Sequence, residues 1–424
     1  MLTSKILALT IFITAYALFV FLPARRTIIA IAAAFLILIF KIISPIEAFG
    51  TINWNVMGIF IGTLAVADIF MESRAPAYLA ELIVDKAKST AWAILFICLL
   101  TGFISAFVEN VATVLIVAPI ALALTKKLKI SPIGPMIAIA ISSNLQGTAT
   151  LIGDPPSMLL GGFAKMNFMD FFFYRGKPSI FFAVEIGALF SFFVLYFIFK
   201  HYKKKSEILR AEKIKSYFPC FWLILLIFCL AASSFFDTGF SYMAGIICII
   251  FGFVALIYKA FSGQGRIHQH IKELDWDTTL FLMAIFILVG SLTLTGWIET
   301  FAIVLAQAIG QNILAGYILM VIISVAVSAF VDNVPFLLAM LPVALSVSFK
   351  LNIEPSLLLF GLLIGASLGG NITPIGASAN IVACGILKKH GYEVKFSEFM
   401  KIGLPFTLVA VTFASLFIWL IWHP

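Results

Sequence analysis

The constraint that dominates this chain is a succession of apolar stretches, each about as long as a membrane crossing. They fall at about 4–22, 27–44, 54–71, 90–108, 111–125, 131–165, 178–199, 218–235, 240–258, 276–295, 311–331, 334–349, 356–390 and 404–422. A bilayer-spanning helix needs ~20 predominantly apolar residues. One very large soluble core is excluded by composition. The chain is 62% apolar and 11% charged, whereas a soluble domain has roughly 45–50% and 25%. The expected fold is an all-α polytopic membrane protein, with the lipid bilayer as its first partner.

The net charge of +8 does not point to nucleic acid, because the basic residues sit in short loops between apolar runs. Five cysteines lie inside apolar segments with no Cys-x-x-Cys pair, so they read as small buried hydrophobes. The five histidines fall in loops or at the terminus and read as solvated. Ile6 to Leu22 is longer than a secretory signal core and ends in Pro-Ala-Arg-Arg, so it reads as the first span.

An internal repeat organises the rest. Ser105-Ala-Phe-Val-Glu-Asn-Val recurs 223 residues later as Ser328-Ala-Phe-Val-Asp-Asn-Val, and half of the 20 positions from 105 to 124 are identical in 328–347. At the same offset Gly147-Thr-Ala-Thr-Leu-Ile-Gly153 aligns with Gly370-Asn-Ile-Thr-Pro-Ile-Gly376, while Trp54 and Trp276 open matching helices one residue out of step. The chain is therefore read as a duplicated unit, 1–200 and 218–424, joined by a cytoplasmic linker at 201–217. Re-entrant hairpins are expected at 90–125 and 311–349, and broken helices at 131–165 and 356–390. Each unit then has five transmembrane helices, and an odd number inverts the second copy. With the N-terminus and C-terminus outside, 22 of the 28 Lys and Arg fall on the inner side, as the positive-inside rule requires. That arrangement suits a multi-pass protein of the cell membrane.

Irregular backbone at membrane depth is tolerated only where protein or water covers it. Paired interruptions in corresponding halves are the best sequence pointer to a transporter's binding site. Here they are the tips Glu109-Asn110 and Asp332-Asn333, and the breaks 144–156 and 369–380. Asn110 and Asn333 are expected to cap the second hairpin arms, and Asp154, followed by two prolines, to cap a half-helix. An unpaired carboxylate costs at least ~2.5 kcal/mol at mid-bilayer, which makes Glu109 and Asp332 the leading functional acids. Asp154 has Ala377 at its repeat position. Asp68 and Glu185 are single acids within spans, read either as a proton relay or as partners of a neighbouring helix. With no Lys or Arg deep within a span, the site is expected to be acidic and polar. That suits a cation, a proton or a neutral solute, and a multivalent anion would need accompanying cations. There is no His-Glu-x-x-His and no phosphate-cradling loop with lysine, so an enzyme is not expected.

At Gly153-Asp-Pro-Pro, Asp332-Asn-Val-Pro, Gly365–Asn380 and His390-Gly-Tyr the sequence resembles the ion transporter superfamily, nearest its arsenite permease, P protein and D-type sodium/proton antiporter branch. The resemblance covers 27–422. It implies two inverted repeats, each with a re-entrant hairpin and a broken helix, a scaffold that is often a homodimer, and an elevator-like transport part. In the superfamily's carboxylate carriers, Ser-Asn-Thr tips bind Na⁺ and substrate. Here only Asn110 and Asn333 match those tips.

The chain is thus expected to be a secondary active transporter coupled to Na⁺ or H⁺, with no other cofactor. Glu109, Asn110, Thr148, Thr150 and Asp154 form one half-site. Asp332, Asn333, Asn371, Thr373, Ser378 and Asn380 form the other. Na⁺ is expected at Asn110, Thr150, Asn333 and Thr373. Extrusion of arsenite or antimonite ranks first among small solutes, then Na⁺/H⁺ antiport, then Na⁺-coupled carriage of an organic anion such as citrate. A passive channel and a receptor or scaffold are the rivals from other classes.

Overall fold

The computed structural model describes residues 2–22, 25–204, 213–237, 239–262, 267–310 and 312–424. The centre of the expected linker, 205–212, lies outside them. The described helices form two sets of ten that correspond in order. The first set is α1 (Leu2–Phe21), α2 (Arg26–Ile39), α3 (Pro45–Thr51), α4 (Trp54–Glu72), α5 (Ala75–Lys86), α6 (Thr90–Ser105), α7 (Asn110–Leu128), α8 (Ile133–Gly147), α9 (Pro155–Ala164) and α10 (Ile180–Phe199). The second is α11 (Phe218–Ser233), α12 (Met243–Phe261), α13 (Ile267–Glu273), α14 (Trp276–Leu294), α15 (Trp297–Ile309), α16 (Ile313–Ser328), α17 (Asn333–Lys350), α18 (Pro355–Gly369), α19 (Ser378–Lys389) and α20 (Phe396–Trp422). Among the described residues, nine of these helices are long and apolar enough to cross a membrane. The fold is all-α, with two inverted repeats, each holding a hairpin (α6–α7, α16–α17) and a broken helix (α8–α9, α18–α19).

The correspondence extends to single bonds. The Trp54 indole N–H donates to the Phe49 carbonyl at 3.2 Å and that of Trp276 to the Ile271 carbonyl at 2.6 Å, so each ties a short helix to the span that follows. Asn53 caps α4 through the Val56 N–H, and Asp275 caps α14 through the Thr278 N–H.

The helices α8 and α18 lie at the centre, where small residues and the polar side chains of the breaks are covered by protein; every residue of α18 from Ser356 to Gly369 is buried. The outer helices α1, α10, α11 and α20 instead expose Ile, Leu and Phe, as lipid contact requires. The repeats interlock where α4 crosses α12 and α14 crosses α2. At the first crossing Gly58 and Gly62, four residues apart, let the backbones touch: a Cβ on Gly62 would lie 2.1 Å from the Cys248 carbonyl oxygen. Small residues at this spacing are the usual means of close helix approach in membranes.

One expectation fails in this region. His270 is not solvated but 2% exposed, its Nδ1 3.1 Å from the Glu273 carboxylate. The short helix α13 folds it against α12. Asp68 proves to be one half of an inter-helix pair, accepting from Lys259 Nζ at 2.6 Å.

Candidate transport site between the hairpin tips

Each hairpin turns where four residues break the helix, and its second arm restarts under a carboxylate. Glu109 accepts from the Ala112 N–H at 2.9 Å and Asp332 from the Val334 N–H at 3.0 Å. The caps are therefore the acids, one residue earlier than the asparagines expected from sequence. Asn110 and Asn333 become the first helical residues, and their amides are left free to reach away from their own helices.

The breaks are held by matched bonds. Thr150 donates its hydroxyl to the Ala106 carbonyl, and Thr373 donates to the Ala329 carbonyl. Each bond docks a broken helix on the tip of its own repeat. Ser157 Oγ donates to the Thr148 carbonyl at 3.1 Å; its counterpart Asn380 donates to the Gly370 and Thr373 carbonyls at 2.9 and 3.0 Å. Backbone that leaves the helix at this depth needs such partners. Asp154 does precede α9, but Pro155 and Pro156 offer no N–H for it to cap. Its carboxylate accepts from Asn110 Nδ2 at 2.7 Å instead.

From there a buried polar chain crosses between the repeats. Asn110 Nδ2 also donates to Asn144 Oδ1 at 3.2 Å, and Asn144 Nδ2 donates to Asn371 Oδ1 at 3.0 Å and to the Ser367 carbonyl at 2.9 Å. Gly147 makes room for it, since a Cβ there would meet Asn110 Oδ1 at 2.1 Å. Replacing Asn144 by Leu removes three buried hydrogen bonds and leaves Asn371 Oδ1 without its donor, an unsatisfied buried group costing ~1–3 kcal/mol. The expected result is a clear fall in melting temperature, measured on purified protein in detergent, together with loss of transport.

A cavity of about 120 Å³ lies between the tips. Glu109, Asn110, Asp154, Asp332, Asn333 and Ser378 of the expected site line it. Thr148, Thr150, Asn371, Thr373 and Asn380 do not; they are fully buried behind it, in the bonds that hold the breaks. The N-terminal ends of α7, α9, α17 and α19 all reach this one cavity. The side chains of Asn333 and Ser378 make no hydrogen bond among the described residues.

Sequence reasoning missed four of the polar lining residues. Asn144 stood in the quoted break but has Ser367 at its repeat position. Asp275 and Thr278 belong to the start of α14, which the offset of Trp54 and Trp276 could have marked. Arg26 corrects the expectation of a site without cations. Assigned to a loop, it begins α2, reaches the cavity and pairs with Asp332. Glu185 lies apart, accepting from Gln146 Nε2 at 3.2 Å. Gly365-Ala-Ser-Leu-Gly369 matches the nucleophile-elbow pattern in letters only, because it runs wholly within buried α18 rather than over a strand-to-helix turn.

Paired re-entrant tips and paired helix breaks enclosing one polar cavity in an apolar bundle define a membrane transporter. The chain belongs to the family described as citrate transporter, whose model matches residues 16–347 and 243–423. It is 27% identical over 433 residues to the uncharacterized transporter Rv2684 of Mycobacterium tuberculosis, covering 98% of both chains. It is 28% identical to the human P protein, over 97% of this chain and 59% of that protein. The YdaH transporter of Alcanivorax borkumensis, whose topology is described as unusual, superposes with a TM-score of 0.62 at 14% identity, over 88% of this chain and 86% of that one. That likeness is one of fold.

Proposed function

We propose that this protein is a secondary active transporter coupled to H⁺ or Na⁺, with arsenite or antimonite as its first-ranked cargo. The observation that carries the reading is the charge around the cavity: Glu109, Asp154, Asp275 and Asp332 against Arg26. Four carboxylates disfavour a free tricarboxylate, so the citrate of the family's description would have to enter with cations. They suit a proton or Na⁺. The unpartnered Asn333 amide and Ser378 hydroxyl suit the hydroxyls of a small neutral solute, and arsenite is neutral near pH 7. Na⁺/H⁺ antiport is the second reading, favoured by Glu109, which makes no ion pair among the described residues.

Alternating access has support in a second cavity, of about 610 Å³, lined by α9, α14 and α17 beyond their site ends. On α9 the lining moves from Pro155 to Leu159, on α17 from Val334 to Leu338, and on α14 from Phe281 to Phe286. About one helical turn, ~6 Å of rise, separates the two cavities. With the N-terminus outside, the small cavity faces inward and the large one outward.

The test uses purified protein in sealed vesicles with a trapped pH-sensitive dye. A Na⁺ gradient, arsenite and citrate are applied separately and lumenal pH is compared with empty vesicles. Proton flux with arsenite alone supports the metalloid reading. Flux driven by Na⁺ alone makes the protein an antiporter. A response confined to citrate, or solute movement that never runs uphill, defeats both.

A further inference from the structure

Arg26 is the first residue of α2, where a positive charge opposes the helix dipole and caps nothing. Helix stability does not account for its position. Its guanidinium pairs with Asp332 and lies 5.0 Å from the centre of the Phe281 ring. Thr27 Oγ1 donates to Asp277 Oδ2 at 2.8 Å, which fixes the first turn of α2 against α14. The helix has only 14 residues, ~21 Å of rise against a ~30 Å hydrocarbon core. Arg26 thus begins at depth, beside the tips.

Three features separate this pair from a structural one. Asp332 divides its work: Oδ1 caps the Val334 N–H while Oδ2 takes the guanidinium, so losing Arg26 does not uncap α17. The equivalent tip needs no such partner, since Glu109 caps α7 in the same way without a cation. The pair also borders the cavity, with the two side chains 23% and 22% exposed, so a small cation entering there reaches it directly.

We infer that Arg26 is a tethered counter-cation, holding at Asp332 Oδ2 the place that the coupling cation takes. The inference rests on the coupled-transport reading. A proton or Na⁺ enters by displacing the guanidinium. When it leaves, Arg26 returns, and the empty site crosses its apolar surroundings with one less uncompensated charge, which would otherwise be costly.

The test compares wild type, Arg26→Gln and Phe281→Leu in the dye-loaded vesicles, across a series of Na⁺ concentrations and, with arsenite present, across a series of external pH. Removing the internal competitor should lower the half-saturating concentration of the driving cation roughly fivefold and slow the maximal net rate. Phe281→Leu keeps the charge but removes the ring beneath it. It should act in the same direction by about twofold, and it carries the test alone if Arg26→Gln does not insert. A merely structural role predicts weaker cation affinity in both variants. Unchanged or raised half-saturation, with wild type responding, overturns the inference. A wild type silent to both cations removes the coupled reading itself, so the two failures are told apart.

Discussion

Glu109→Gln and Asp332→Asn should each reduce coupled transport to the level of empty vesicles while leaving folded protein unchanged. Both substitutions keep an oxygen where the carboxylate stood, so the Ala112 and Val334 N–H groups retain their acceptors and the hairpin arms remain capped. What is lost is charge. Glu109 loses the one it presents to the cavity without an ionic partner, and Asp332 loses the one it presents to Arg26. The measurement is the initial rate of dye response under an imposed gradient, beside size-exclusion profiles of each variant. If both variants keep coupling, the tip acids have no part in the mechanism. If both aggregate, they serve the fold.

Gly62→Ala should be the most damaging single methyl group in the molecule. The new Cβ would sit 2.1 Å from the Cys248 carbonyl oxygen and 2.7 Å from the Ile249 nitrogen, all backbone. No rotamer can relieve that contact, so α4 and α12 must move apart. Overpacking costs typically ~1–3 kcal/mol and occasionally more, and here the upper end is expected because the whole crossing is displaced. Gly385→Ala is the control: nothing lies within 4 Å of its added carbon, and inside a helix the change is worth up to ~1 kcal/mol in the stabilising direction. Thermal unfolding in detergent should therefore fall sharply for Gly62→Ala and hold or rise for Gly385→Ala. Equal melting temperatures would mean that the repeats do not depend on this crossing.

The spans, hairpins and breaks were legible because the duplication wrote each of them twice. The cap shift from Asn110 to Glu109 was not, because Asp, Glu and Asn at adjacent positions can all accept from the same N–H groups, and only the backbone decides which one does. Asn144 escaped because its repeat position holds Ser367, so the symmetry that exposed the other site residues concealed the one joining them. Arg26 escaped for a different reason: its reach depends on where α2 begins relative to α17, a tertiary distance that hydropathy does not encode. The Thr150 and Thr373 hydroxyls were read as ion ligands on residue type, and in the folded chain they hold the tips to the breaks.

Two equivalent halves in inverted orientation would make the inward-open and outward-open shapes each other's image, and neither would be favoured at rest. This chain departs from equivalence at its most charged points. Arg26 pairs with Asp332 while Glu109 makes no ion pair among the described residues, and Asp154 has Ala377 at its repeat position. Every ~1.4 kcal/mol of such imbalance is tenfold in population. In a carrier that alternates as proposed, one guanidinium on one side would give the unloaded state a resting posture, and a direction in which it waits.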